Sequence, residues 1–546
     1  MKTPINPTYP GVYIEEITSG KHTITGVPTS ITAFIGRTRS GPVNKPVTID
    51  SYVEFEHIFG GLWLNSSLSY AVRDFFLNGG SQAIIVRLYH PDPLKSSKTK
   101  LIVGEIKLEA ANEGSWGINL RATIDQNVTE DSAKLLGLAK IDIFNLTVKR
   151  VDNQRAERFS NLTVKDSPRR IDKVFCSESE FVRWAGDWPS QLPAISPADD
   201  KLTEAEKRLE AAKKRVPTNP FMINTLMKAV EAAKKAMQAT DGLTLTLKDN
   251  FSPDNAEHNK KGLYALEQAD IFNILCIPPY LISGDVDPDL VARAAEYCEK
   301  RRAFLIVDPP NNWTNKDKAK IGIETGIGSR SKNAALFFPR LKQPNPERDN
   351  QIDVFAPCGA VAGVFARTDA HRGVWKAPAG KEATLVGVQE LSVHLSDAEN
   401  NELNPLGINC LRTMPTIGSV IWGARTLQGD DRLASEWKYI PIRRMALFIE
   451  ESIYRGTQWV VFEPNDEFLW SQIRLNIGVF MHNLFRQGAF QGNTPQRAYF
   501  VKCDSETTTQ KDIDSRIVNI IVGFAPLKPA EFVIIKIQQI AGQVQT

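Results

Sequence analysis

The stretch LSYAVRDFFLNGGSQAIIVRL, residues 68–88, decides the fold class. Leu68 to Leu77 carries its apolar residues at helical spacing, and Asn78-Gly79-Gly80 stops the helix, because glycine accepts the left-handed backbone that ends one. Ala83 to Leu88 (AIIVRL) is then an apolar run of strand length. Working outward, Ser30 to Gly36 (SITAFIG) reads as a strand, with a turn at Ser40-Gly41-Pro42. Strand, helix, glycine stop and strand in that order predict a βαβ-like unit, and hence a mixed sheet with parallel strands.

The same alternation returns later. Ile271 to Ile277 (IFNILCI) is a strand entering Pro278-Pro279, Pro288 to Arg302 has helical spacing, and Ala303 to Val307 (AFLIV) is a strand ending at Asp308-Pro309-Pro310. A last α/β unit is expected over 399–525, with helices at Ile442 to Tyr454 and Glu467 to Phe485. Its strands are placed near Gly418 to Trp422, Tyr499 to Cys503 and Ile517 to Gly523. Between these blocks, residues 95–258 change character. Short alternating runs such as Leu101 to Leu108 predict β structure, and 201–240, rich in Ala, Lys and Glu around Pro217 and Pro220, predicts a helical hairpin. Leu202, Ala205, Leu209 and Ala212 form the apolar face of one helix, and Met222, Leu226, Val230 and Ala233 that of the other. Each helix holds barely two heptads, so a surface insertion is the reading in preference to a coiled-coil dimer.

The two ends differ from everything between them. Pro4, Pro7 and Pro10 exclude a helix, and Val12-Tyr13-Ile14-Glu15-Glu16-Ile17 follows as one strand-like run. At the other end Glu531 to Ile540 reads EFVIIKIQQI. Phe532, Ile534 and Lys536 alternate there with Val533, Ile535 and Ile537, so one face is wholly aliphatic. A strand at an extreme end, tethered by Pro- or Gly-containing chain, is poorly placed to pair within its own domain and well placed to complete the open sheet edge of another copy. The organisation is therefore an N-terminal arm (1–25), a first part of an α/β core (26–94), a β-rich insertion with its hairpin (95–258), a second α/β domain (259–398), a C-terminal α/β domain (399–525) and a C-terminal arm (526–546).

At 546 residues the chain is expected to hold three or four domains. Its net charge of +3, from 66 basic and 63 acidic residues, lacks the basic excess of a nucleic-acid binder. Cys176, Cys276, Cys298, Cys358, Cys410 and Cys503 are scattered without a CxxC, which reads as small buried hydrophobes in a reducing compartment. The N-terminus has no secretory h-region, and no run of about 18 apolar residues predicts a membrane span.

An α/β middle domain invites an enzyme hypothesis, a hydrolase above all. Gly326-Ile327-Gly328-Ser329 has glycines beside a serine, but neither the GxSxG of a nucleophile elbow nor the GK[ST] of a phosphate loop. Asp308 ends a strand, where α/β enzymes place catalytic groups, yet before two prolines it reads as a turn residue capping local backbone. Asp369 and His371, in the Gly-containing loop RTDAHRGVW, have no Ser or Cys partner, and the seven histidines form no metal-ligand spacing. No catalytic, cofactor or metal site is expected.

The opening Tyr9-Pro10-Gly11-Val12-Tyr13-Ile14-Glu15-Glu16 resembles that of contractile tail sheath proteins of phages, tailocins and extracellular contractile injection systems. So do Gly26 to Ser30, Ala33 to Gly36, Gly41 to Val43, Phe55 to Gly60 and Phe75 to Gly80. The similarity resumes at Ala356-Pro357-Cys358-Gly359 with Ala362-Gly363, and continues through Asn404 to Asn409, Val420 to Thr426 and Tyr439 to Arg444. It lapses over 95–255, where sheath proteins usually carry outer decoration. The resemblance implies stacked hexameric rings around an inner tube, with subunits linked through exchanged terminal strands and with baseplate and terminal cap proteins as further partners. It also implies a subtilisin-like middle domain without protease function, and assembly in the bacterial cytoplasm. Arg474 and Arg486, on and after the helix from Glu467, are the candidates for facing the tube. An adhesin-like or capsid protein is a third class, and would lack paired arms.

Overall fold

A computed structural model describes residues 23–215 and 219–531. At its centre is an eight-stranded sheet ordered Gly418–Ile421, Ile408–Met414, Ala334–Phe338, Phe304–Val307, Ile274–Cys276, Thr32–Gly36, Ala83–Arg87 and Val47–Ile49. The six inner strands run parallel and the two outermost are antiparallel. Alternate residues face opposite layers, as a pleated strand requires. Ala33, Ile35, Leu305, Val307 and Leu336 meet the helices Pro288–Lys300 and Lys316–Thr325. Phe34, Phe304, Ile306 and Phe337 meet Ser67–Leu77 and Cys358–Arg372.

Those last two helices touch backbone to backbone. A Cβ on Gly359 would lie 2.0 Å from the Ala71 carbonyl oxygen, and one on Gly363 would lie 2.5 Å from that of Phe75. Glycines four residues apart share one helix face, so this pair lets the layer close without side chains between the axes. The Gly and Ala residues of the 356–363 segment therefore have a packing role.

Several expectations change. RTDAHRGVW is the end of the Cys358–Arg372 helix as far as Arg372, not a loop. The helix is apolar on every side through Ala366 because it is buried on every side, and so lacks the amphipathic stripe that marks a surface helix. The strand expected near Gly418 to Trp422 lies in the central sheet and not in the last unit, since it turns back on Ile408–Met414, itself parallel to Ala334–Phe338. The expected strand Ile517 to Gly523 is Ile521–Phe524.

The insertion leaves after Ala83–Arg87, and the chain rejoins the sheet at Ile274, on the far side of Thr32–Gly36. It combines a three-stranded and a four-stranded antiparallel sheet around Leu108, Trp116, Phe144, Phe159 and Phe175. The hairpin is Lys201–Lys213 and Pro220–Ala236, with Asp200 and Asn219 accepting hydrogen bonds from first-turn amides. Leu202 and Val230 enter the insertion's core, while Met222 is exposed, since on its helix buried contact with that core begins at Val230.

The final unit packs Ile440–Gly456 and Glu467–Arg486 against an isolated antiparallel pair, Tyr499–Lys502 with Ile521–Phe524. Ile24 is part of that same core, lying where a Cβ on Gly456 would be.

Candidate functional site

The enzyme candidates come first. Gly328 holds a left-handed turn (φ +79) against the Pro288 carbonyl, and Ser329 accepts a hydrogen bond from the Ser331 amide. Asp308 caps backbone, as expected, but not its own turn: it accepts the Cys358 amide at 2.8 Å, at the start of the buried glycine-bearing helix. Burial pushes its carboxyl up to about 6, with Cys358 and the Arg340 charge drawing it only part of the way back. Burial likewise raises the thiols of Cys276, Cys298, Cys358, Cys410 and Cys503, which disfavours the thiolate, whereas Cys176 is exposed.

Asp369 and His371 do not form a dyad. The His371 Nδ1 lies 2.7 Å from the Arg367 carbonyl at the surface. Asp369 faces inward and is held by both Arg444 nitrogens at 2.9 and 2.6 Å and by the Thr29 hydroxyl at 2.7 Å. Arg444 also donates to the Thr29 carbonyl at 2.9 Å, and the two charged side chains are 3% and 4% exposed. A bidentate pair this deeply buried is costly to break from one side. It ties three distant segments together: the entering N-terminal chain, the central helix and the first helix of the last unit. The Ser452 hydroxyl accepts the Val27 amide at 3.1 Å and extends the tie.

A second tie holds the other end. Arg425, 1% exposed, donates from Nε and Nη2 to the two carboxylate oxygens of Glu531 at 2.7 Å each. Its Nη1 reaches Asp431 at 3.0 Å and the Gly429 carbonyl at 3.1 Å, while the Tyr439 hydroxyl donates to Glu531 at 3.1 Å. The partners lie 106 residues apart, and no local pattern reports such a pairing. The traces of the ties in the sequence are an arginine inside each of two matched segments, Val420 to Thr426 and Tyr439 to Arg444, with Thr29 inside a third and Asp369 singled out for its place beside His371, and none of these reports its partner.

Between these ties lies the small sheet. Among the described residues neither of its strands pairs with a third. Tyr499, Val501, Val522 and Phe524 face the core, and Phe500 and Ile521 stand about half exposed on the outer face. The Phe500 ring occupies the space over Gly523. The strand runs expected at 12–17 and 532–537 lie outside the described residues. Of the tube-facing candidates, Arg474 is engaged within the subunit, donating to Glu467 at 2.7 Å and to the Cys503 carbonyl, and Arg486 is exposed in the last turn. Phe468, Leu475 and Val479 are exposed on the same helix.

Comparison with known proteins gives two domain matches. Residues 254–427 match the phage tail sheath protein central domain, and 434–540 match the phage tail sheath C-terminal domain. A putative prophage major tail sheath protein of Pseudomonas aeruginosa is 28% identical over 197 residues, 35% of this chain and 47% of that protein. The tail sheath protein of Enterobacteria phage T4 is 26% identical over 171 residues, 31% of this chain and 24% of that protein. The chain thus spans about half of one such relative and about a quarter of the other. Among solved structures, the contracted sheath complex of the extracellular contractile injection system PVC aligns over 98% of this chain and 99% of its own, with TM-score 0.56 and 20% identity. The contracted helical sheath of the anti-feeding prophage aligns over 98% and 100%, also with TM-score 0.56, at 21% identity. These likenesses extend the shared fold across the insertion.

Proposed function

The chain belongs to the phage tail sheath family, and from that premise we propose that it is the repeating subunit of a contractile sheath. Copies stack as hexameric rings around an inner tube, between a baseplate and a terminal cap. Contraction drives the tube forward by moving subunits as rigid bodies while exchanged terminal strands hold the lattice. Assembly takes place in the bacterial cytoplasm, without contact to nucleic acid or insertion into a membrane, and residues 95–258 form the outer decoration.

The observation that carries this reading is the isolated sheet of Tyr499–Lys502 and Ile521–Phe524. Two strands alone are marginal in water, and unpaired edges are templates for further strands. Strands from the arms of neighbouring copies, 12–17 of one and 532–537 of another, would complete a larger sheet by backbone pairing. About six added residues at roughly 1 kcal/mol per hydrogen bond, together with burial of the aliphatic face, offset the ordering of the arm. Arg486 and the exposed face of Glu467–Arg486 are assigned to the tube side. The acidic groups weighed as catalytic are instead spent on helix capping and on the Arg444 tie, so no observation favours a hydrolase.

Deletion of 532–546 tests the reading, because it removes the arm and leaves the Glu531 contact. The truncated subunit is expected to melt like the full chain and to form no long tubes under negative-stain microscopy. Tubes of normal length would overturn strand exchange.

A further inference from the structure

The last described turn of chain is a strap. Gln491 donates to the Ala525 carbonyl at 2.9 Å, and Phe490 bridges Pro526, which fixes the strap's near end on the small sheet's unit. Leu527, Lys528, Pro529 and Ala530 then make no hydrogen bond to any described residue. They pass over a cleft of about 890 Å³ whose walls include Trp375, Asn401, Arg412 and Trp422. Among the described residues the far end is held by Glu531 alone, on Arg425 and Tyr439. Burial would raise the Glu531 carboxyl, but the Arg425 bonds outweigh it and hold the group below its ordinary range, so it is charged at neutral pH.

We infer that Arg425 is a positioning residue for the C-terminal arm: by gripping Glu531 it fixes the point from which residue 532 leaves the subunit. The inference rests on the strand exchange proposed above. Two prolines keep the strap extended, at about 3.1 Å per residue, so a released Glu531 could range over roughly 15 Å from Pro526. Strand addition needs one register on one neighbour, and an unfixed root dilutes the arm at that edge by lowering its effective concentration. The grip therefore selects which neighbouring sheet is reached, while the arm itself supplies the pairing.

The test uses the full chain carrying Glu531→Ala, with Glu531→Gln as the isosteric partner that keeps one acceptor for Arg425. Nitroxide labels on Lys528→Cys and Asn401→Cys, in a Cys176→Ser background, report the strap-to-wall distance by pulsed electron resonance. The parent chain is expected to give one narrow distance, Glu531→Ala a broad one, and Glu531→Gln an intermediate width. Tube yield should fall roughly tenfold in Glu531→Ala with little change in melting temperature. A narrow distance in Glu531→Ala, or tubes as abundant as in the parent, would overturn the inference. If Glu531→Ala does not fold, the Glu531→Gln distance and yield decide by the same criteria. Normal tubes from Glu531→Ala beside none from the 532–546 deletion would reject the grip and keep strand exchange, whereas tubes from the deletion would reject strand exchange itself.

Discussion

The central sheet and the small C-terminal sheet handle their edges in opposite ways. The central one ends on one side in a strand of three residues, Val47–Ile49. On the other side, Gly380, Ala383 and Leu385 exchange backbone hydrogen bonds of 2.8–3.0 Å with Ser419 and Ile421. Neither strand of the small sheet is covered along its own length among the described residues, the Phe490 and Gln491 contacts falling just past its end at Ala525 and Pro526, and it carries half-exposed Phe500 and Ile521 outward. On the proposed strand exchange, a chain that shields one pair of edges and leaves another bare separates two tasks: the first sheet makes the subunit, and the second joins subunits. Perturbations of the closed part should therefore appear as stability, and perturbations of the open part as assembly.

The largest effect is expected from Asp369→Ala. It strands Arg444 in the interior and should lower unfolding free energy by about 3–5 kcal/mol in denaturant titration; a loss under 1 kcal/mol would show that the tie does not hold the last unit to the central one. Gly359→Ala comes next, because its methyl would meet the Ala71 carbonyl oxygen. Overpacking of this kind costs about 1–3 kcal/mol, and an unchanged melting temperature would show that the helix layers can part. Asp308→Asn is opposite in sign. The folded carboxyl binds its proton more tightly than the unfolded one, so Asp308 lowers stability as pH rises from 3.8 to about 6, and its effect is level above that. The Asn variant, which keeps an acceptor for Cys358, should gain on the parent across that window by at most about 3 kcal/mol in all. Equal pH profiles for the two proteins would sink this assignment. Phe500→Ser should change stability least, by under about 1 kcal/mol, since the ring is half exposed. Tube number should nevertheless drop several-fold by microscopy, and a variant that melts early yet assembles normally would erase the distinction between the two sheets.

Periodicity made the amphipathic helices legible, and the glycine and proline signals bounding short apolar runs marked two buried strands. The helices Ser67–Leu77, Pro288–Lys300 and Glu467–Arg486 and the strands Ala83–Arg87 and Phe304–Val307 all lie within two residues of their expected limits. The Cys358–Arg372 helix carried no stripe to read, being buried on all sides, and Ala334–Phe338 is a short apolar run that fits helix or strand equally. For Gly418–Ile421 the conformation was readable but the partner was not, because register across a sheet is decided by segments far away in sequence. The same limit hid both ties at the candidate site: Asp369 could be singled out as unusual, but nothing nearby in the sequence points to Arg444.

The path of the N-terminal segment has a mechanical consequence. From Ile24, seated against Gly456, the chain runs through the Thr29 contact with Asp369 and Arg444, then directly into Thr32–Gly36. That strand is flanked on both sides by parallel partners in the middle of the sheet. A pull applied before residue 24 along the strand direction would thus load the Ile24 packing and the Val27 and Thr29 hydrogen bonds first, and then two hydrogen-bonded ladders in shear, where all rungs share the force. A pull on the C-terminal stem loads one carboxylate that can peel away. On the proposed strand exchange the two ends of the subunit would be unequal couplings, a tow point at the front and a release catch at the back, and the catch is expected to yield first under tension.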